Sequence, residues 1–358
     1  MLTKESNEFI KELKPKMKPK DLLESNHLKK LFHILDANAF EYYVPTITKR
    51  KGNYSCSGYM TKRLMNKAKK YNHITSLKWS LKSKYSVNCV LNIHSLTEKG
   101  LNEKSINLLV YALSFICSLS DRDRTIIVHY VPLKDKKKYT GKFTRNEINS
   151  GSCSSSDTKA EICLWREEEC IKVLFHECIH GLKFSSIQEN DNIIEKYNRL
   201  YNNNSPKMNI DETYTEVWAK ILNCYFVSKL SCFEYEDLDC YLYFCSLLAI
   251  EREFVLLQGH KVSKDLRDGI KRDINKDTNV IAYYIGTAEI FNNLNNFLSF
   301  CFRDKKPFYL KDKKPFYLKD QRLFISFLVG CNKVPIRKLN QKSKSYATLR
   351  MTGIELKV

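Results

Sequence analysis

The sequence predicts an α+β fold in which short strands and helices alternate up to one central helix and a mainly helical C-terminal part follows. Three short segments, 85–93, 125–133 and 161–165, are rich in β-branched and aromatic residues and read as strands. Between the first two, residues 103–118 place apolar side chains on one helical stripe. Beyond residue 210, long segments with helical periodicity succeed one another, so helices should dominate the second half.

We expect two parts along the chain. Residues 1–75 are polar and basic, and they should form a mostly helical N-terminal segment. Residues 76–358 should form the main domain, with the sheet and the central helix in 76–186 and the helical part in 187–358. The unit DKKPFYLK occurs twice in residues 304–319. Two copies are too few for a solenoid, so we interpret them as a local duplication that lengthens a surface loop.

The composition indicates a protein with a sizeable core and no membrane span. Hydrophobic residues make up 43% of the 358 residues, which argues against global disorder. The longest largely apolar run, residues 241–250, is half as long as the roughly 20 residues that a spanning helix needs. The charged N-terminus lacks the apolar stretch of a secretory signal. We therefore expect an intracellular, cytoplasmic protein whose thirteen cysteines are reduced and mostly buried.

The formal net charge of +20 is unevenly distributed, because both flanks are basic whereas residues 151–300 are acidic. A basic flank can bind nucleic acid or an acidic partner. However, lysine far outnumbers arginine, and a phosphate-binding surface should use more arginine, whose planar group binds phosphate through two hydrogen bonds. We therefore expect that nucleic acid is not the main partner.

Residues 173–184, VLFHECIHGLKF, carry the strongest chemical signal. His176, Glu177 and His180 form the pattern H-E-x-x-H. Residues four apart lie on the same face of a helix, so the two imidazoles can bind one Zn²⁺. Glu177, next to the first ligand, can take the proton of an attacking water. The neighbouring residues are uncharged and mostly apolar, and buried imidazoles in such surroundings need partners.

This pattern resembles the active-site helix of the zincin metallopeptidases. The resemblance implies a zincin-like α+β fold with the mixed sheet packed on the active-site helix, His176 and His180 as zinc ligands, and Glu177 as general base. The metzincin extension is absent, since its glycine and third histidine would fall at Lys183 and Ser186. The resemblance therefore implies an acidic third ligand on a later helix, as in gluzincins.

A wider set of segments is similar to an uncharacterised zincin-like protein family of large DNA viruses. These segments are NSGS (149–152), ICLWREEE (162–169), KVLFHECIHGLKFS (172–185), DETYTEVWA (211–219), YYIGTAEI (283–290) and LRMT (349–352). The similarity implies a viral protein in the host cytoplasm or the virion, and it implies no particular substrate.

Two carboxylates are candidates for the third ligand. We expect Glu216, because it is a polar residue on a predicted helix whose neighbours are apolar. Glu212, one turn earlier on the same face, is the alternative, and with Asn209 it also fits a capping box. Glu216 could instead form an ion pair with Lys220 four residues later.

The expected activity is zinc-dependent hydrolysis of a peptide bond, with Glu177 as general base and a peptide or protein as substrate. An extended peptide would add to an edge strand formed by residues 161–165 or 149–153. The candidate hydrogen-bond donors to the developing oxyanion are Tyr283, Tyr284 and His260.

Two other functions stay open. One is an inactive zincin scaffold that acts as an interaction protein, although a non-catalytic zinc site has no need of Glu177. The other is a basic nucleic-acid-binding protein with a structural zinc, although such a site usually has four ligands including cysteine, and Cys178 points away from His180 on a regular helix. The remaining histidines are interpreted as structural or exposed: His27, His33, His73, His94 and His129. The sequence predicts neither the cleavage specificity nor the oligomeric state.

Overall fold

Six strands form one mixed sheet in the computed structural model, and helices cover it. The structure describes residues 2–14, 18–37, 43–54, 59–82, 85–268, 274–302, 315–318 and 320–358. Within these ranges the expected α+β class is confirmed. Twelve of the sixteen residues of the repeated octapeptide (304–319) lie outside the described residues, and 315–318 lie within them.

The N-terminal part contributes a strand to the sheet as well as helices. Its elements are α1 (Lys4–Leu13), α2 (Lys20–Leu23), α3 (Asn26–Asp36), β1 (Thr46–Lys51) and α4 (Lys62–Ala68). Strand β1 pairs with β2 (His73–Lys82) along its whole length. The expected domain boundary at residue 75 is therefore wrong, because it falls inside β2 and would separate two paired strands.

The other strands are β3 (Ser86–Ser95), β4 (Arg124–Tyr130), β5 (Gly151–Ser155) and β6 (Lys159–Leu164). The order across the sheet is β1-β2-β3-β4-β6-β5. β3, β4 and β6 are parallel to one another, whereas the pairs at the two sides of the sheet are antiparallel. Strand β6 is therefore internal, and β5 is the last strand on the side of the central helix.

Helix α5 (Glu103–Ser118) connects β3 to β4 and has the predicted bounds. The side chain of Asn102 caps it by accepting a hydrogen bond from the backbone N–H of Ser105 at 2.9 Å. The segment between β4 and β5 contains the short helix α6 (Arg145–Ile148). The central helix, α7 (Cys170–Gly181), carries the H-E-x-x-H residues.

The second half is helical, as expected. Its elements are α8 (Asp191–Tyr201), α9 (Ile210–Glu234), α10 (Cys240–Arg267), a π-helix (Ile281–Gly286), α11 (Thr287–Asn292), α12 (Leu294–Phe302), α13 (Gln321–Gly330) and α14 (Lys344–Ala347). None of the helices in the described ranges has both the length and the apolar character that crossing a membrane requires.

Helix α7 lies at the centre of the core. It packs against β5 and β6 on one side and against α5 and α9 on the others. Its apolar side chains are therefore fully buried, among them Leu174, Phe175 and Ile179. This packing leaves one side of the helix, with His176, Glu177 and His180, to line a cleft.

The cysteines differ in one respect from the expected set of reduced thiols. Cys232 and Cys240 form a disulfide across the turn between α9 and α10, so the expectation is wrong for this pair. Most of the other cysteines in the described ranges are buried, as expected.

Candidate metal centre

The two histidines of the motif face the same side of α7, with ring centroids 5.0 Å apart. The start of this helix is held firmly. Glu169 precedes it with a left-handed backbone (φ 61°), and its buried carboxylate pairs with Lys137 at 2.8 Å. The same carboxylate accepts a hydrogen bond from the backbone N–H of Met351 at 2.7 Å. The C-terminal segment thus fixes the end of α7 that lies deepest in the protein.

Glu212, in the first turn of α9, is the carboxylate that meets both histidines. Its Oε2 lies 3.0 Å from Nε2 of His176 and 3.1 Å from Nε2 of His180. Among the described residues, these three side chains offer ligand atoms that all lie within 4.8 Å of one another. The structure therefore brings together three of the residues considered from the sequence, with Glu212 as the acidic member.

This geometry fits a zinc ion. Tetrahedral ligands about 2.0–2.1 Å from zinc lie roughly 3.3 Å from one another. The observed separations between Glu212 and the two histidines, 3.0 and 3.1 Å, need only a small expansion to reach that value. Two imidazoles and one carboxylate are also a donor set found in catalytic zinc sites, which keep one position open.

Glu216, the expected third ligand, occupies a different position. Its Oε2 lies 2.8 Å from Nδ1 of His176, on the side of the ring away from Glu212. The side chain is fully buried one turn deeper than Glu212. The geometry therefore does not support Glu216 as a ligand and supports the alternative, Glu212. The considered ion pair with Lys220 is present at 3.0 Å.

Two buried lysines surround the Glu216 carboxylate. Nζ of Lys172 lies 2.8 and 3.0 Å from its two oxygens, and Nζ of Lys220 lies 3.0 Å from Oε1. Burial by itself would raise the pKa of Glu216, but the two ammonium groups outweigh it and hold that pKa well below its usual value. Glu216 is therefore a permanent anion, and it keeps Nδ1 of His176 protonated and Nε2 directed toward Glu212.

The acidic neighbours also control the ionisation of His176. Burial would lower its pKa, but the hydrogen bonds to Glu212 and Glu216 outweigh that effect and raise the pKa to about 9. A metal ion that binds Nε2 must therefore displace a proton.

Glu177 lies directly beneath the first residue of β5. Only 7% of its surface is exposed, and burial raises the pKa of its carboxyl group although His176 and His180 act in the opposite direction. Strand β5 approaches so closely that a Cβ on Gly151 would lie 2.6 Å from Oε1 of Glu177. A glycine at this position lets the edge of the sheet pass over the carboxylate.

Tyr283 is the one of the three candidate oxyanion donors that lies at the site. Its ring packs edge-on against His176, with centroids 5.8 Å apart, and it belongs to the π-helix. Burial raises the pKa of Tyr283 well above its usual value, so the hydroxyl stays protonated. Tyr284 instead donates to the buried carbonyl of Leu349 at 2.6 Å, and His260 is buried within α10.

A cleft of about 880 Å³ opens in front of these residues. Strand β5 forms one wall, and residues 275–279, which precede the π-helix, form part of another. Of the two edge strands considered from the sequence, residues 149–153 overlap β5, whereas 161–165 belong mostly to the internal strand β6. The described part of the cleft is largely polar.

Two residues beside this centre, Lys172 and Asn279, were not predicted from the sequence. Lys172 lies four residues before His176, and a lysine on an otherwise apolar helix was a usable signal. Nothing in the sequence marks Asn279. The capping box proposed for Asn209 and Glu212 does not form, because the left-handed backbone of Asn209 (φ 53°) turns its side chain away from the helix.

Comparison of the chain with protein-family models, with characterised proteins and with solved structures finds no match in any of the three.

Proposed function

We propose that this protein is a zinc-dependent peptidase with His176, His180 and Glu212 as its metal ligands. The observation that carries the proposal is the convergence of three ligand atoms within 4.8 Å, next to the buried carboxylate of Glu177, in an open cleft. A structural zinc site would be closed by a fourth protein ligand. The resemblance of residues 173–184 to the zincin active-site helix supports the same conclusion.

Each residue has a role in the proposed reaction. When bound, the zinc ion supplies an open position for a water molecule and lowers the pKa of that water to about 7. Glu177 takes a proton from the water and later passes it to the leaving amine. The raised pKa of Glu177 suits this role, because a general base works best when its pKa lies near the working pH.

Two further residues assist the proposed chemistry. Glu216 accepts the Nδ1 proton of His176 and so keeps its Nε2 available to the metal. Tyr283, beside the His176 ring, donates a hydrogen bond to the carbonyl oxygen as negative charge develops on it.

The substrate in this proposal is an extended peptide that adds to the sheet at β5. As the last strand of the sheet on that side, β5 offers backbone groups along the cleft in which Glu177 lies. Main-chain hydrogen bonds of this kind bind a peptide without selecting its side chains.

The proposal is tested by metal analysis and by cleavage of a peptide library with wild type and Glu177→Gln. We expect close to one zinc per chain in both proteins and cleavage in the wild type alone. Glu195→Gln, an exposed glutamate on α8, is the matched control and should cleave normally. Tyr283→Phe should bind zinc normally but lower kcat by about 10²–10³-fold, the usual effect of removing one oxyanion donor.

The other outcomes are informative. Zinc in both proteins with no cleavage in either would support the inactive scaffold. A wild-type protein that binds no zinc would exclude the peptidase and the scaffold together.

A further inference from the structure

Asn279 lies between Glu212, the acidic member of the proposed ligand set, and Tyr283. Its Nδ2 donates a hydrogen bond to Oε1 of Glu212 at 3.1 Å and lies 3.5 Å from the hydroxyl oxygen of Tyr283. The other oxygen of Glu212, Oε2, is the one that faces the two histidines. Asn279 thus contacts the oxygen of the carboxylate that the metal site does not use.

The Glu212 carboxylate fixes the orientation of the Asn279 amide, and a second asparagine binds the other end of that amide. Asn209 donates from its Nδ2 to Oδ1 of Asn279 at 2.5 Å. A carboxylate can only accept hydrogen bonds, so the donor end of the Asn279 amide, Nδ2, faces Glu212, and its acceptor end, Oδ1, is left for Asn209. The reversed amide would place an oxygen against a carboxylate oxygen. The left-handed backbone of Asn209, a conformation that asparagine tolerates well, directs its side chain to this partner.

The position of Asn279 is held by the residues next to it. Oγ1 of Thr278 donates to Oδ1 of Asn149 at 2.6 Å, which ties this segment to the residues just before β5. On the other side, Oδ1 of Asn275 accepts a hydrogen bond from the backbone N–H of Ile281 at 2.9 Å, at the start of the π-helix. Asn279 is therefore attached to a braced wall of the cleft.

We infer that Asn279 is a positioning residue, which binds Oε1 of Glu212 and thereby presents Oε2 to the metal, and that Asn209 holds its amide in place through Oδ1. This inference rests on the proposed metal site but not on peptide cleavage. A carboxylate ligand without an outer partner rotates freely, and such partners commonly contribute about 10–100-fold to metal affinity.

The test measures zinc affinity by competition with a chelator and the visible absorption spectrum of bound Co²⁺. Asn279→Leu keeps the branched shape and removes the donor, so we expect about 10–100-fold weaker zinc binding and an altered cobalt spectrum. Thr278→Val is the matched control: it removes the tie of the same segment to Asn149 but leaves the hydrogen bond from Asn279 to Glu212, so it should lose much less zinc affinity than Asn279→Leu.

Asn209→Gly provides a second, independent variant. Glycine keeps the left-handed backbone and removes only the side chain, so we expect a smaller loss of zinc affinity than in Asn279→Leu. The double variant Asn209→Gly/Asn279→Leu should bind zinc as weakly as Asn279→Leu alone, because both residues act through one hydrogen-bond chain.

The outcomes separate this inference from the proposed function. Zinc binding by Asn279→Leu equal to that of Thr278→Val overturns the inference, even if the wild type cleaves peptides. Weaker zinc binding by Asn279→Leu in a protein that cleaves no peptide supports the inference and removes the peptidase. A wild type that binds no zinc overturns both.

Discussion

Replacing Gly151 by alanine should disable Glu177 while leaving the zinc ligands in place. The new Cβ would lie 2.6 Å from Oε1 of Glu177 and 2.8 Å from Cγ1 of Val173. Restoring an ordinary contact of 3.4 Å requires a displacement of about 0.8 Å. Because α7 is packed on several sides, we expect the Glu177 carboxylate and β5 to absorb this displacement, rather than the histidines on the same helix.

The expected effects follow from this displacement. A misplacement of about 1 Å can lower a reaction rate by about 10²-fold, and overpacking typically costs about 1–3 kcal/mol, which lowers Tm by a few degrees. The assay compares kcat/KM for a cleaved peptide, the zinc content and Tm. Gly330→Ala, with nothing within 4 Å of the added Cβ, is the control. Wild-type cleavage and Tm in Gly151→Ala would refute the close approach of β5 to Glu177.

Two further predictions concern the charges around His176. Glu216→Gln leaves the buried ammonium group of Lys172 without its anion and leaves Lys220 with Glu251 alone, at 3.5 Å. We therefore expect a loss of about 3–5 kcal/mol in the free energy of unfolding and about 10–100-fold weaker zinc binding. Glu212→Gln should impair zinc binding more and Tm less, and the reverse order would contradict the ligand assignment. The pKa of His176 is raised from 6.5 to about 9 in the folded protein. Protonation of His176 therefore contributes about 3 kcal/mol to the free energy of unfolding of the metal-stripped protein. This contribution is complete below pH 6.5 and is lost as the pH rises through 9. Zinc competes with the same proton, so zinc affinity should rise with pH between 6.5 and 8.5, and chelator titrations that show no pH dependence would contradict this pKa.

A helix or strand was predicted accurately where the residues of that segment alone determine its conformation. Helix α5 was predicted with its observed bounds because an asparagine cap and an apolar stripe define it locally. Strand β1, TITKRK, is exposed along its whole length, so no apolar alternation marks it. Strand β5, GSCSS, lacks β-branched residues and exists through its pairing with β6. Such strands are set by tertiary pairing, which local patterns do not report.

The residues of the candidate site could be predicted where they lie on one helix. The prediction was uncertain for the residue that a second helix contributes. His176, Glu177 and His180 follow from spacing on α7 alone. Glu212 and Glu216 are four residues apart on α9 and share one face, so the spacing within α9 cannot distinguish them. The choice depends on the register of α9 against α7, because a shift of one turn moves a side chain by about 6 Å along the axis.

The charged residues of the two helices fix that register. Contacts run in order from Lys172 with Glu216, through His176 between Glu216 and Glu212, to His180 with Glu212, so the two helices are antiparallel here. If Glu216 took the ligand position, Lys220 would move into the place of Glu216, against Lys172. Two buried ammonium groups would then face each other, and a cation would replace the acceptor behind His176. Because Lys172 lies four residues before His176, an acidic residue is needed four positions after the third ligand to pair with it. Within residues 211–220, only Glu212 is followed by an acidic residue at that spacing.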